Sequence, residues 1–225
     1  MKKKEDFNRG LLIAFSIVLL ITAGLNAYTV SSLSDSLSGS KVNFEGLDKV
    51  DVSTIANTGQ AIAKIFPIDQ IKTQEDAIAL MIATGEPEYG NMLPISYDDP
   101  LTALSYLQKY YPTIKSEVQK DPELWQRYLN LATKPVGISC EFCCGVGPSG
   151  ISKDGELLCG CSHNPAIQAL TLWLIKNTDY TDAEILKEDL VWKTIWFPKD
   201  MIQLGLKASG GDIDLNALPS MVGGC

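Results

Sequence analysis

Between Gly137 and Gln168 the chain reads "GISCEFCCGVGPSGISKDGELLCGCSHNPAIQ", which holds five of its six cysteines and its only histidine. A segment so rich in sulfur folds around crosslinks or around a bound ion, and no other stretch restricts the fold as much. The pattern is C-x2-C-C-x14-C-x-C-x-H, formed by Cys140, Cys143, Cys144, Cys159, Cys161 and His163. A C-x-x-C turn holds two thiolates at a separation suited to one tetrahedral ion, and a returning second pair completes four donors. Asp154-Gly155 predicts the return, because the pair tolerates the positive φ angles of a two-residue turn. Folding there lays Cys159 and Cys161 beside the Cys140–Cys144 segment. Gly145, Gly147, Gly150 and Gly160 let backbone N–H groups approach the sulfurs.

The expected metal ligands are Cys140, Cys143, Cys159 and Cys161, with His163 or Cys144 as substitutes. Six soft or borderline donors exceed one tetrahedral site, so zinc, a copper(I)–thiolate cluster and an iron–sulfur cluster all stay open as cofactors. A helix expected from Asn164 puts its positive end beside Cys161, which eases thiolate formation. "CEFCC" lacks the C-x-x-C-H of covalent haem attachment, and a single histidine excludes two-histidine zinc protease patterns.

Disulfides are the rival reading. Six cysteines allow three bridges, and closing a loop of about 15 residues contributes roughly 3 kcal/mol in the chain-entropy model. Cys225 is then a partner for Cys144 or stays unpaired. On this reading the domain is a non-enzymatic, disulfide-braced module that docks a protein partner through its helical surface. A membrane-tethered thiol–disulfide oxidoreductase is a third reading, weakened because the C-x-x-C precedes a Gly-rich loop instead of opening a helix in a βαβ unit. Against a pure brace, residues 31–139 contain no cysteine and have the apolar content to fold by burial alone.

"LLIAFSIVLLITAGLNAYTV", Leu11 to Val30, carries no charge over 20 residues, long enough to cross about 30 Å of hydrocarbon. Lys2, Lys3, Lys4 and Arg9 before it outnumber Glu5 and Asp6, which predicts a single-pass anchor with a cytoplasmic N-terminus and the bulk of the chain outside the cell membrane. No small-x-small site follows the run cleanly, which favours an anchor over a cleaved signal. The first nine residues hold four of the 19 basic and two of the 27 acidic residues, leaving a formal charge of -10 on the exported part. So acidic a surface, with no basic stripe, repels phosphate backbones and excludes nucleic acid as a partner.

The expected organisation is a basic tail at 1–10, an anchor at 11–30, a Ser-rich linker at 31–45, a helical domain at 46–207 with the knuckle at 140–163, and a flexible tail at 208–225. Four helices precede the knuckle, with Ser53, Thr73, Asp99 and Asp121 as caps. Pro67 ends the first, Gly85 the second and Pro112 the third. Pro100 and Pro122 occupy first helical positions, where a missing N–H does no harm. After the knuckle, "AIQALTLWLIKNT" behind Asn164 and Pro165 is apolar on nearly every face except Gln168 and Thr171, the pattern of a central buried helix. A capping box, Thr181 with Glu184, opens the next, which Pro198 ends. Asp98 and Asp99 read as capping residues, not as a catalytic pair. Trp125, Trp173, Trp192 and Trp196 read as core. The fold class is mainly α, with one small hairpin.

Overall fold

A computed structural model describes residues 46–210. The predicted tail at 1–10, anchor at 11–30 and linker at 31–45, with everything beyond Gly210, lie outside the described residues. Among the described residues no helix is long and apolar enough to cross a membrane.

The described chain is mainly helical, and its only extended pairings are two isolated bridges. Eight α-helices occur among the described residues: α1 (Thr58–Ile65), α2 (Gln74–Met81), α3 (Pro100–Val118), α4 (Pro122–Ala132), the single turn α5 (Glu141–Cys144), α6 (His163–Asn177), α7 (Asp182–Trp196) and α8 (Pro198–Ser209).

Most helix starts follow from local chemistry. The Thr73 hydroxyl accepts from the Asp76 N–H while Asp76 accepts from the Thr73 N–H, a reciprocal box. Asp99 and Asp121 cap α3 and α4 with a proline behind each, and Thr181 with Glu184 repeats the box at α7. Asp98 accepts the Gly85 N–H across the loop, so both adjacent aspartates spend their oxygens on backbone.

Three expected boundaries move. Asn57, not Ser53, caps α1, because Ser53 belongs to a separate 3-10 turn, Val52–Thr54, capped by Asp51. Helix α2 stops at Met81, four residues before Gly85, whose positive φ of 78° instead serves the following loop. Helix α3 runs straight through Pro112 to Val118. Pro112 is exposed and so is Gln108, whose carbonyl it leaves without an N–H, so the lost bond falls on the solvent side of the helix. Continuing the helix buries Ile114 and Val118 completely, about 1.5–3 kcal/mol each against about 3 for an interior proline. Pro198 ends α7 but also opens α8, a helix the sequence reading had not assigned.

Helix α6 is the axis of the domain. Every residue from His163 to Ile175 is buried, and the helix packs against α3, α4 and α7, while α8 covers α1, α2 and α7. Gln168 and Thr171, expected as its polar exceptions, are buried too and fully engaged: Gln168 bonds Tyr128 and the Ile138 carbonyl, Thr171 bonds Asp189 and the Ile167 carbonyl. Trp173, Trp192 and Trp196 are core as expected. Trp125 is half-buried and packs under the knuckle's turn, where a Cβ on Gly155 would come 2.5 Å from its ring.

Candidate metal centre

The first cysteine segment is positioned by backbone pairing. Gly137 donates to the Pro148 carbonyl at 3.0 Å, Gly150 to the Ile138 carbonyl at 3.2 Å, and the Ser139 hydroxyl to the Gly147 carbonyl at 2.7 Å. The chain then makes the single turn α5, closed by Cys143 N–H to the Cys140 carbonyl and stopped by Gly145 at φ 67°. The second segment returns through the predicted hairpin, with Ser152 donating to the Glu156 carbonyl at 2.8 Å and Leu158 to the Gly150 carbonyl at 2.9 Å. Its loop has three residues rather than two, because Gly155 at φ 80° follows a turn closed by its own N–H to the Ser152 carbonyl.

Helix α6 fastens both segments. From its first turn, Asn164 Nδ2 donates to the Gly150 carbonyl at 2.8 Å and to the Cys159 carbonyl at 3.2 Å. One turn on, Gln168 Nε2 donates to the Ile138 carbonyl at 2.9 Å. Asn164 was expected to cap the helix. The helix instead begins at His163, and Ser162 before it makes no side-chain cap. The Cys161 sulfur takes that place, accepting from the His163 and Asn164 N–H groups. Gly150 is required here, since a Cβ would meet the Asn164 amide and stand 2.6 Å from Gln168 Nε2.

The hairpin brings the sulfurs together as expected. Cys144 and Cys159 form a disulfide with Cα atoms 6.6 Å apart, which corrects the pairing of Cys144 with Cys225. Cys143 is likewise disulfide-bonded. Cys140 and Cys161 are free thiols, 3.0 Å apart and 1% and 8% exposed. The four sulfurs of Cys140, Cys144, Cys159 and Cys161 all lie within 4.8 Å of one another, and a second group of the same tightness joins Cys143, Cys161 and His163. Cys144 therefore takes the place expected for Cys143. In a helical turn residues four apart differ by about 40° around the axis, whereas residues three apart differ by about 60° in the other sense. C-x-x-C spacing names the wrong pair once the segment coils. The N–H that reaches a sulfur laterally is that of Cys161, 3.5 Å from Cys159 Sγ, while those of Gly145 and Gly150 go to carbonyls.

The electrostatics favour an anion at Cys161. The hydrogen bond from Cys140 and the hydrogen bond of the His163 side chain outweigh burial, and the Cys161 thiol is pushed down to about 4. Cys140, the donor in that bond and itself buried, is pushed up and keeps its proton. His163 is 1% exposed, with its ring 4.8 Å from Phe197 and 5.9 Å from Trp196. Behind the site stands a residue the sequence reading missed. Lys193, fully buried on α7, donates to the Gly137 carbonyl at 2.9 Å and pairs with Glu141 at 3.3 Å. Burial lowers it to about 8. A lone lysine inside "DLVWKTIWF" was the available signal.

Thiolate–metal bonds of about 2.3 Å in a tetrahedron put sulfurs about 3.8 Å apart. Of the four sulfurs here, those of Cys140 and Cys161 stand 3.0 Å apart, those of Cys144 and Cys159 are bonded to each other, and all lie within 4.8 Å, so the set reaches that edge only once the disulfide opens. With Cys144 and Cys159 reduced, the set fits one ion. Comparison with known protein families, curated proteins and solved structures finds no match for this chain.

Proposed function

We propose that the protein is a membrane-anchored, extracytoplasmic metal-binding protein whose reduced knuckle holds a thiophilic ion on Cys140, Cys144, Cys159 and Cys161. The observation that carries this reading is the convergence of four sulfurs from two segments within 4.8 Å. An all-sulfur tetrahedral set suits zinc, copper(I) or iron in an iron–sulfur cluster, in a structural or electron-transfer role. A brace alone gives no reason to bury two further thiols beside the disulfide. Nor does the knuckle need one, since Asn164 and Gln168 already tie its segments to the central helix. The anchor and the outward placement rest on the apolar run at 11–30 and the basic residues before it.

The test uses the full chain in detergent, reduced by a dithiol and repurified without oxygen. Elemental analysis, a visible spectrum and thiol counting should find bound metal that disappears in a Cys140→Ser, Cys161→Ser double variant. Metal-free protein at every stage overturns the reading. Resistance to alkaline extraction from membrane vesicles checks the anchor.

The Cys144–Cys159 disulfide supports a second reading, a braced interaction domain with no metal. That reading requires the disulfide to survive the dithiol, or its loss to leave partner binding impaired with no ion taken up.

A further inference from the structure

One ion on four sulfurs leaves Cys143 and His163 unused, yet both are brought to the same place. The turn α5 gives its last two cysteines, whose sulfurs stand 3.7 Å apart, to different donor groups. Cys144 lies with Cys140, Cys159 and Cys161, whereas Cys143 lies with Cys161 and His163, and each group is contained within 4.8 Å. Cys161 belongs to both. We infer that the reduced knuckle is a two-ion centre, in which the Cys161 sulfur bridges one ion held by Cys140, Cys144 and Cys159 and a second held by Cys143 and His163.

This deepens the four-sulfur reading and rests on it for the first ion. A thiolate has lone pairs to spare after one metal bond, and two ions sharing a sulfur at about 2.3 Å each stand at most about 4.6 Å apart. The donor types differ between the two places. The first ion has four sulfurs, the second has two sulfurs and an imidazole, so zinc, cadmium or copper(I) suits both. Three protein donors leave a tetrahedral second ion one position short, which an added thiol or water fills. The burial of His163 against Phe197 and Trp196 fixes its ring at the edge of the centre and keeps water from its inner side.

A dithiol reduces the Cys144–Cys159 and Cys143 disulfides, each taking two electrons and two protons while the dithiol closes to its cyclic disulfide. The incoming cations then displace the remaining thiol protons to solvent, and His163 binds as the neutral ring.

Titration of the reduced full chain with cadmium, followed by native mass spectrometry and cadmium NMR, tests the inference. Two ions per chain are expected, with two resonances coupled to each other through the shared sulfur. A Cys143→Ser, His163→Gln double variant should hold one ion and keep the resonance of the all-sulfur site. Cys143→Ser alone, at a half-buried position, should weaken the second ion at least tenfold if the double variant does not fold. Saturation of the wild type at one ion, or two uncoupled resonances, overturns the two-ion centre while leaving the four-sulfur site standing. No uptake by the wild type overturns both.

Discussion

Cys161 sits where the unsatisfied N–H groups at the start of α6 point, and its sulfur does the work that a serine or asparagine oxygen does at other helix starts. That position, with the hydrogen bond from Cys140, makes it a thiolate at ordinary pH. In metal-free protein the ultraviolet thiolate band should persist on acidification until about pH 4, and Cys161→Ser should remove it; a band fading near pH 8 to 9 contradicts the assignment. Lys193 supplies a second pH signature. Its folded value of about 8 lies below its ordinary 10.5, so between those limits the unfolded chain carries a proton that the folded chain lacks. Stability therefore rises with pH across that window and falls as pH drops through about 8. Lys193→Met should flatten this part of the denaturation profile, read as the difference between variant and wild type. It should also destabilise by about 1–3 kcal/mol at neutral pH, because the Gly137 carbonyl loses its buried donor. Residue types at the knuckle were readable from the sequence, but their partition was not: which cysteine joins which group depends on coiling at 141–144, and the Lys193 charge depends on a helix far along the chain.

At the scale of elements, helix starts were legible wherever one or two neighbouring residues determine them, as at Thr73, Asp99, Asp121 and Thr181. Ends were less so. Pro112 reads locally as a stop, yet the apolar positions Leu104, Leu107, Tyr111, Ile114 and Val118 continue in phase across it, and burial along α6 outweighs the lost hydrogen bond. Pro112→Ala should raise the stability of the domain by about 1–3 kcal/mol in denaturant unfolding, since it restores the bond to the Gln108 carbonyl and alters no buried side chain. An unchanged midpoint would show that the proline is already relieved by local bending. Asn57 and Ser53 illustrate the opposite difficulty. Both are good caps, and only the packing of Ala61, Ile62 and Ile65 decides which one begins the helix.

For the whole molecule, the apolar pattern behind Asn164 correctly marked a central helix, while its role as the mounting for the cysteine segments was hidden in Asn164 and Gln168, two amides one turn apart. Gln168→Leu cuts the tie to the Ile138 carbonyl and removes the acceptor of the Tyr128 hydroxyl without touching a sulfur. It should cost about 1–3 kcal/mol of stability and lower metal affinity 10- to 100-fold, measured by competition with a chromophoric chelator; full affinity in a folded variant would mean that the sulfurs position themselves. Cys140, Cys159 and Cys161 are enclosed, but Cys144 faces solvent. Of the two residues of the Cys144–Cys159 disulfide, Cys144 is the one an incoming reductant meets first. On the proposed reading, the tempo at which the four-sulfur site fills is set by electron supply to the Cys144–Cys159 disulfide, so abundant metal without a donor of electrons leaves it shut.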